Sequence, residues 1–163
     1  MIILGLDPGT ATTGFGVIKN ADGALELLDC GCITTPKTAK LADRLNQISK
    51  DLEELVHEWK PDSVAIEEIF FSKNVKTAMS VAHARGALMQ KLASKGYEIH
   101  EYKPMKIKES VCGYGRAEKI QVQKMVQMIL KMDHLPRPDD AADALAVAIC
   151  HAGNAAYQNR IQV

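Results

Sequence analysis

Four acidic residues stand in apolar surroundings, where a charge is normally avoided. Asp7 ends an apolar run that opens the chain, and Glu67 is embedded in a second apolar run. Asp140 and Asp143 lie three residues apart at the start of an alanine-rich segment. Because an ionised carboxylate in such a setting is costly unless a cation or hydrogen bonds compensate its charge, we treat these four acids as candidate metal ligands and catalytic residues.

Carboxylate oxygens limit the chemistry that such a group could perform. They suit the hard cations Mg²⁺ and Mn²⁺, and acids that repel one another tolerate a shared site when such ions occupy it. Two ions about 4 Å apart can activate a water and stabilise the leaving oxygen of a phosphodiester. We therefore expect two Mg²⁺ ions per site, with Mn²⁺ as an alternative, provided that the acids converge in the fold.

The acids also have structural interpretations. Asp140 and Asp143 would share one face of a helix whose N-terminus favours negative charge, so capping and dipole stabilisation could explain the pair. Asp139 is interpreted as the N-cap of that helix. Asp143 lies one turn inside, among alanines and a leucine, and capping explains it less well. Glu68 should face away from Glu67, because side chains alternate along a strand.

Hydrophobic periodicity predicts the elements that must bring the acids together. The predicted strands are 2–7, 14–19, 25–34, 63–70 and 98–102. The predicted helices are 41–59, 77–95, 118–132 and 141–156. The predicted irregular segments are a loop over 105–117 and a linker over 134–139. This order predicts an α/β fold with a mixed five-stranded sheet whose first three strands are antiparallel.

Length and charge suggest one domain with a basic surface. The 163 residues are expected to form a single domain over 1–157 and a short tail over 158–163. The formal net charge is zero, but Lys and Arg number 6 against 12 acids in residues 1–70 and 11 against 4 in residues 71–124. The middle of the chain could therefore form a basic contact surface beside an acidic centre. Unevenly charged helices that are merely solvated remain the alternative.

The cysteines and the hydropathy indicate a cytoplasmic protein. Cys30, Cys32, Cys112 and Cys150 form no C-x-x-C pair, so we expect reduced, mostly buried thiols and no zinc. No secretory signal opens the chain, and no run of about 18 apolar residues occurs, so we expect no membrane partner.

Motifs along the chain resemble those of the RuvC family, in the same order and at similar spacing. They are Gly5–Thr10 with Thr13–Gly16, Ala65–Phe70 with Lys73–Asn74, Ala84–Gly86, Tyr102–Pro104, Gly113–Lys119 with Gln121–Val122, and Asp140–Ala146. Together they cover nearly the whole chain. A single motif would be weak evidence, but the ordered set is specific.

The resemblance implies an RNase H-like nuclease domain with helices on both faces of the sheet. It implies a homodimer that nicks a Holliday junction symmetrically, in DNA recombination and repair, with Asp7, Glu67, Asp140 and Asp143 as catalytic metal ligands. It also implies two partners: four-way junction DNA and a branch-migration motor complex of the RuvA and RuvB type.

Six residues are predicted to contact DNA. They are Phe70, Lys73, Arg85, Lys108, Arg116 and Lys119. The basic residues would neutralise phosphates, and the resemblance places Lys108 and Lys119 near the cut strand. The ring of Phe70 would stack on an unpaired base at the crossover. The alternative is that Phe70 packs in the core and Phe71 stacks on the base. Arg85 could instead pair with a structural acid.

Other functions remain open from the sequence. The segment Asp7–Thr10 is similar to the phosphate-binding hairpin of actin-like sugar kinases and chaperone ATPases, but those proteins need a second lobe. A non-catalytic junction-binding scaffold would need the basic surface but not the acids. Another RNase H-like nuclease acting on hybrids or duplex is the third alternative. The helix over 77–95 could supply a dimer interface or pack in the core.

Overall fold

The computed structural model describes residues 1–69 and 75–161, which contain five strands and five helices. The strands are β1 (Ile2–Asp7), β2 (Thr12–Ala21), β3 (Ala24–Thr34), β4 (Ser63–Glu67) and β5 (Ile99–Tyr102). The helices are α1 (Leu41–Trp59), α2 (Val75–Ser94), α3 (Pro104–Cys112), α4 (Lys119–Ile129) and α5 (Asp139–Ile161). None of these helices is long and apolar enough to cross a membrane.

The strands form one mixed sheet in the order β3-β2-β1-β4-β5. β1 pairs with β2, and β2 with β3, in antiparallel orientation, whereas β1–β4 and β4–β5 are parallel pairs. The register between β2 and β3 shifts at Val17 and Ile18, where β3 carries one extra residue, Leu28. The predicted five-stranded sheet with three antiparallel strands is confirmed.

Helices cover both faces of this sheet. Ile3 and Ala65 face a layer formed by α3, α4 and α5, whereas Leu4 and Leu6 face α1 and α2. Because successive side chains of a strand point to opposite faces, a strand that is buried on both sides reads as a continuous apolar run. This explains the unbroken hydrophobic stretch of β1 and confirms the expected helices on both faces.

Glycines let α5 lie directly on the backbone of β1 and β2. A Cβ atom added at Gly14 would overlap the carbonyl oxygen of Asp140, and one added at Gly5 would overlap that of Ala144. At Gly16 it would lie 2.7 Å from a methyl group of Leu145. Gly5 and Gly16 are register partners, so the bare backbone forms one continuous patch. The patch brings the first turns of α5 against the end of β1.

The predicted loop over 105–117 is wrong for most of its length, because α3 occupies it. Pro104 stands in the first turn of α3, where its missing N–H leaves no hydrogen bond unmade. Ile107 and Val111, four residues apart, bury one face of the helix. Gly113 ends α3 in a left-handed conformation with φ 83°. Pro104, which directly precedes the segment predicted as a loop, begins the helix.

Several predicted boundaries also differ from the observed ones. β4 ends at Glu67 rather than at residue 70. α4 ends at Ile129, and Lys131, with φ 52°, turns the chain shortly afterwards. α5 begins at Asp139, which is its first residue rather than its N-cap, and continues to Ile161, into the segment predicted as a tail.

The four cysteines are free thiols, as expected. Cys150 is buried and its sulfur lies 3.2 Å from the hydroxyl of Ser110, whereas Cys30, Cys32 and Cys112 are only partly buried. The expectation that the thiols are mostly buried therefore holds fully for one of the four.

Candidate active site

Two of the predicted acids end neighbouring parallel strands. Asp7 is the last residue of β1, and Glu67 is the last residue of β4. The register pairs Leu6 with Ile66, so the two acids follow side by side at the same edge of the sheet. Neighbours in a parallel register share a face. Both carboxylates therefore point toward the layer that contains α5.

The other two acids come from the first turns of α5. The carbonyl of Asp140 rests on Gly14, which is the register partner of Asp7 across β1 and β2. Asp143 follows one turn later and lies 32% exposed at the same end of the helix. The strand register and the seating of α5 on Gly14 place all four acids at the same edge of the sheet.

This crowding raises the pKa values of Asp7, Glu67 and Asp143. Burial, followed by the charges of Glu67, Asp143 and Asp140, raises the pKa of Asp7 to about 8. Burial and the charge of Asp143 raise the pKa of Glu67, and burial also raises that of Asp143. The hydrogen bond between Asp7 and Glu67 favours the proton on Asp7. The site thus holds more negative charge than its own surroundings stabilise.

Lys119 provides the positive charge nearest to the acids. Its Nζ lies 2.9 Å from Oδ2 of Asp143 and 3.6 Å from Oδ2 of Asp139. Burial opposes the charged form of Lys119, but the hydrogen bond to Asp143 and the neighbouring acids outweigh it and raise its pKa. Gln123 donates to Asp139 at 2.9 Å, so Asp139 is held by α4 and stays outside the acid group.

A cavity of about 180 Å³ opens at the acids. Glu67 and Asp143 line it together with Lys108 and Lys119, and its apolar wall comes from α3, α4 and α5. Carboxylates and lysines therefore face the same small space. This combination fits a phosphate group, whose oxygens would contact the cations while the ester bond approaches the acids.

The acids fit divalent cations by their chemistry. The donors are carboxylate oxygens, and the raised pKa values mark a deficit of positive charge in the pocket. Within residues 1–69 and 75–161, no three His, Cys, Asp or Glu side chains are already oriented around one metal position. Oδ2 of Asp143 instead forms an ion pair with Lys119.

The residues predicted to contact DNA are placed differently from one another. Lys108 and Lys119 line the cavity, and Arg116 is exposed on the loop between α3 and α4. Arg85 makes an ion pair with Glu101 and is only 18% exposed, which favours the structural alternative for this residue. Phe70, Phe71 and Lys73 lie outside the described residues.

The helix α2 contributes to the core beneath the site. Ala84, Leu88 and Leu92 are fully buried against the sheet, whereas Met79 is 52% exposed. Core packing therefore accounts for one face of α2, and its role in a dimer interface stays a prediction.

Sequence reasoning missed the residues that shape the site without taking part in chemistry. The glycines at positions 5, 14 and 16 enter the predictions only as parts of motifs, and Ile107, which lines the cavity, falls in the segment predicted as a loop. A signal was present, because glycines at alternate positions of a strand are unusual unless another backbone approaches closely.

A larger groove, of about 740 Å³, lies on the other side of α4. It is bordered by β3 and the segment from Leu130 to Arg137. Its acids, Glu26 and Asp133, are both exposed, so the groove holds no buried carboxylate. The smaller cavity is therefore the better candidate for catalysis.

Comparison with known proteins points to one family. The family model for crossover junction endodeoxyribonuclease RuvC matches residues 3–151. The RuvC of Ruminiclostridium cellulolyticum is 52% identical over 154 residues, which cover 94% of this chain and 93% of that protein. The RuvC of a Roseiflexus strain is 47% identical over 159 residues, covering 98% and 95%. The structure of T. thermophilus RuvC in complex with a Holliday junction substrate superposes with a TM-score of 0.91, at 33% identity, over 97% of this chain and 96% of that one.

Proposed function

This chain belongs to the RuvC family of crossover junction endodeoxyribonucleases, and we propose that it resolves Holliday junctions by hydrolysing phosphodiester bonds in the acid pocket at the end of β1 and β4. The observation that carries this proposal is the meeting of Asp7, Glu67, Asp140 and Asp143, from three separate elements, beside two lysines. A purely structural arrangement would not place so many carboxylates together in a partly buried site.

The four acids are the proposed ligands of Mg²⁺ or Mn²⁺, two ions per site. When bound, such ions supply positive charge, activate a water and stabilise the leaving oxygen of the ester. The chain contributes a rigid frame, because Asp7 and Glu67 sit on paired strands while the glycine patch seats the helix that carries Asp140 and Asp143. Such fixed geometry is what a reaction between a water and a phosphate requires.

Lys119 and Lys108 are the proposed phosphate contacts. Both line the cavity with Glu67 and Asp143, so a phosphate that enters it meets two ammonium groups. Lys119 is paired with Asp143 at 2.9 Å. We infer that Asp143 would help to hold a cation, which would leave Lys119 free to donate to a phosphate oxygen. Lys119 would then stabilise the charge that develops on the phosphate.

Two further features belong to the proposal. A homodimer would present two acid pockets to opposite strands of a junction with approximate two-fold symmetry, and the exposed side of α2 is a candidate interface. A branch-migration motor complex of the RuvA and RuvB type is the proposed protein partner. Sedimentation of the purified chain tests the first, and co-sedimentation with that complex on junction DNA tests the second.

The decisive experiment compares substrates and one matched pair of variants. Wild-type protein with Mg²⁺ should cut a four-way junction at symmetric positions in two strands, and cut RNA–DNA hybrid and linear duplex far less. Asp7→Asn should keep junction binding, but its cleavage rate should fall on the order of a thousandfold. This loss corresponds to an activation free energy that is higher by several kcal/mol. Asp22→Asn makes the same chemical change at an exposed turn with φ 52°, a conformation that asparagine tolerates, and should cut like the wild type.

Three outcomes would contradict the proposal. Equal cleavage by Asp7→Asn and the wild type would remove the acid pocket from the chemistry. Preferential cleavage of hybrid or duplex would indicate another RNase H-like nuclease. Junction binding without any cleavage, by the wild type and both variants in Mg²⁺ and Mn²⁺, would indicate a scaffold.

A further inference from the structure

Two large apolar side chains are exposed next to the acid pocket. Met105, in the first turn of α3, is 65% exposed, and Tyr114, in the loop between α3 and α4, is 47% exposed. Isolated exposed apolar residues are common on protein surfaces. These two differ because the structure holds them close together, fixes one of them, and surrounds them with positive charge.

The turn after α3 brings the two residues together. Gly113 adopts φ 83° and reverses the chain, so that Gly115 packs on the beginning of α3. A Cβ atom at Gly115 would lie 3.5 Å from Cβ of Met105 and 3.6 Å from its Cε. The side chain of Met105 therefore lies along the loop that carries Tyr114. We name Met105 and Tyr114 together the Met–Tyr surface.

The ring of Tyr114 is fixed although it is exposed. Its hydroxyl donates to Oε1 of Gln121 at 2.7 Å, and the same oxygen accepts the N–H of Glu118 at 2.8 Å. Gln121 is held in turn by the capping box that begins α4. An exposed aromatic ring that is already ordered loses little conformational entropy when a ligand packs on it.

The Met–Tyr surface lies at the mouth of the acid pocket. Met105 comes directly after Pro104 and three residues before Lys108, and both of these line the cavity. Residues three apart share one side of a helix. On the other side of the loop, Lys119 begins α4 and also lines the cavity.

The charges around this surface are mostly positive. Lys103 and Arg116 are exposed, and neither makes an ion pair with a residue that the structure describes. Lys106 is balanced by Glu109 at 3.5 Å. The remaining nearby acid, Glu118, is engaged in the capping box. A ligand with negative charge and a flat apolar face would complement both features.

We propose that the Met–Tyr surface stacks on an unpaired nucleobase of the junction, next to the phosphodiester that is cut. A base offers a flat π-face for the tyrosine ring and for the methionine sulfur, and its own phosphates would meet Lys103 and Arg116. Bases inside a continuous duplex are covered by their neighbours, so the surface would favour the crossover over linear DNA. The inference rests on the proposed function, since it assumes that junction DNA occupies the acid pocket.

The test uses three alanine variants and two DNAs. Tyr114→Ala and Met105→Ala should each weaken binding to a four-way junction about tenfold, as loss of one stacked base does, and should leave binding to linear duplex nearly unchanged. Met128→Ala is the matched control, because Met128 is 69% exposed near the end of α4, away from the pocket. Affinities are measured by fluorescence anisotropy in Ca²⁺.

A second measurement reports stacking itself. 2-Aminopurine placed beside the cut position should be quenched by the wild type and by Met128→Ala, and less by Tyr114→Ala. Tyr114→Phe keeps the ring and removes only the hydrogen bond to Gln121, so it should quench nearly as well as the wild type. Thermal unfolding of every variant reports whether each is folded.

The outcomes separate this inference from the proposed function. If the wild type does not bind or cut junctions, the proposed function fails. If the wild type cuts junctions but Tyr114→Ala and Met105→Ala behave like Met128→Ala, this inference alone is wrong. Equal weakening of junction and duplex binding would also overturn it, because stacking on an unpaired base requires selectivity.

Discussion

Two positions on α5, its first turns and its middle, accommodate polar groups against a sheet in opposite ways. In the first turns, Asp140 and Asp143 join Asp7 and Glu67 in a group of acids, whose charges raise the pKa values of Asp7, Glu67 and Asp143. Two turns further along, His151 is buried, with only 4% of its surface exposed. The acid site lies between α5 and the strands β1 and β4, whereas the histidine site lies between α5 and the strands β4 and β5.

At the histidine site, the protein itself supplies a hydrogen-bond partner for each ring nitrogen. Nε2 of His151 lies 2.7 Å from the hydroxyl of Ser63, and Nδ1 lies 2.8 Å from that of Tyr102, so both ring nitrogens have partners. The ring also packs on His100, with centroids 4.4 Å apart. Burial and the neighbouring His100 lower the pKa of His151 to about 4, so it is neutral near pH 7.

The difference separates a polar group that stabilises the fold from one that we propose takes part in the reaction. The histidine network joins α5 to β4 and β5 and satisfies its own hydrogen bonds. The acid site joins α5 to β1 and β4 and holds an excess of negative charge, which costs stability. Four experiments test this contrast.

The largest effect is expected from Gly14→Ala. The added methyl group would overlap the carbonyl of Asp140 and push the beginning of α5 away from β1. A displacement of about 1 Å can reduce a rate about a hundredfold, and overpacking costs about 1–3 kcal/mol of unfolding free energy. Cleavage assays measure the loss of rate, and urea unfolding measures the loss of unfolding free energy. In the control Gly153→Ala, on the same helix, the methyl group meets no neighbour, and stability should rise by about 0.5–1 kcal/mol. Wild-type cleavage by Gly14→Ala would show that the helix can shift without harm.

The second effect is the change of the unfolding free energy with pH that His151 causes. Because the pKa of His151 is lowered to about 4 from 6.5, the unfolded chain takes up this proton first as the pH falls. The contribution of His151 is fully present above pH 6.5 and is lost between pH 6.5 and 4, by about 3 kcal/mol in all. Urea unfolding at several pH values should show this slope in the wild type, and a smaller slope in His151→Asn. Identical slopes would mean that His151 is not held neutral.

The third effect is the stabilisation of the folded chain by divalent cations bound at the acid site. Mg²⁺ at ten times its dissociation constant should raise the unfolding free energy by about 1.4 kcal/mol, because it binds the folded chain and relieves the repulsion. A chelator should reverse the gain, and NaCl of equal ionic strength should not reproduce it. His151→Asn should retain the gain, whereas Asp7→Asn combined with Glu67→Gln should lose most of it. Equal gains in all variants would place the cation elsewhere.

The smallest effect on stability is expected from Lys119→Met. The lysine is half exposed, so its ion pair with Asp143 should contribute less than about 1 kcal/mol to stability. Cleavage should nevertheless fall about a hundredfold if Lys119 stabilises the charge on the phosphate. Lys124→Met, an exposed lysine on the same helix, is the control. A large loss of stability with unchanged cleavage would reverse the assigned role.

The sequence predicted the acids better than the surfaces around them. Asp7 and Glu67 could be recognised because a charge inside an apolar strand contradicts the local pattern, and the motif order supplied the rest. The five-stranded sheet and the antiparallel pairing of its first three strands could be predicted from the pattern of apolar residues and from the short turns between the strands. These features depend on neighbours along the chain, which a sequence displays directly.

What could not be predicted depends on contacts between distant segments. Gly14 and Gly16 indicate that another backbone approaches β2 closely, but not that this backbone belongs to a helix more than a hundred residues later. The burial of His151 between Ser63 and Tyr102 is likewise a product of the assembled fold. The missed helix α3 is of another kind, because Pro104 suits a first helical turn and Ile107 and Val111 have helical spacing, so the signal stands in the sequence itself.

The edge of the sheet at β3 has a consequence for how copies of this protein behave in concentrated solution. A strand of 11 residues with one side unpaired by any other described strand could recruit the same strand from another molecule and start aggregation. The extra residue Leu28 bends this strand, and Glu26 and Asp29 give it negative charge. Two such edges would meet with mismatched curvature and like charges. The bulge therefore helps to keep the chain dispersed, although its net charge is zero.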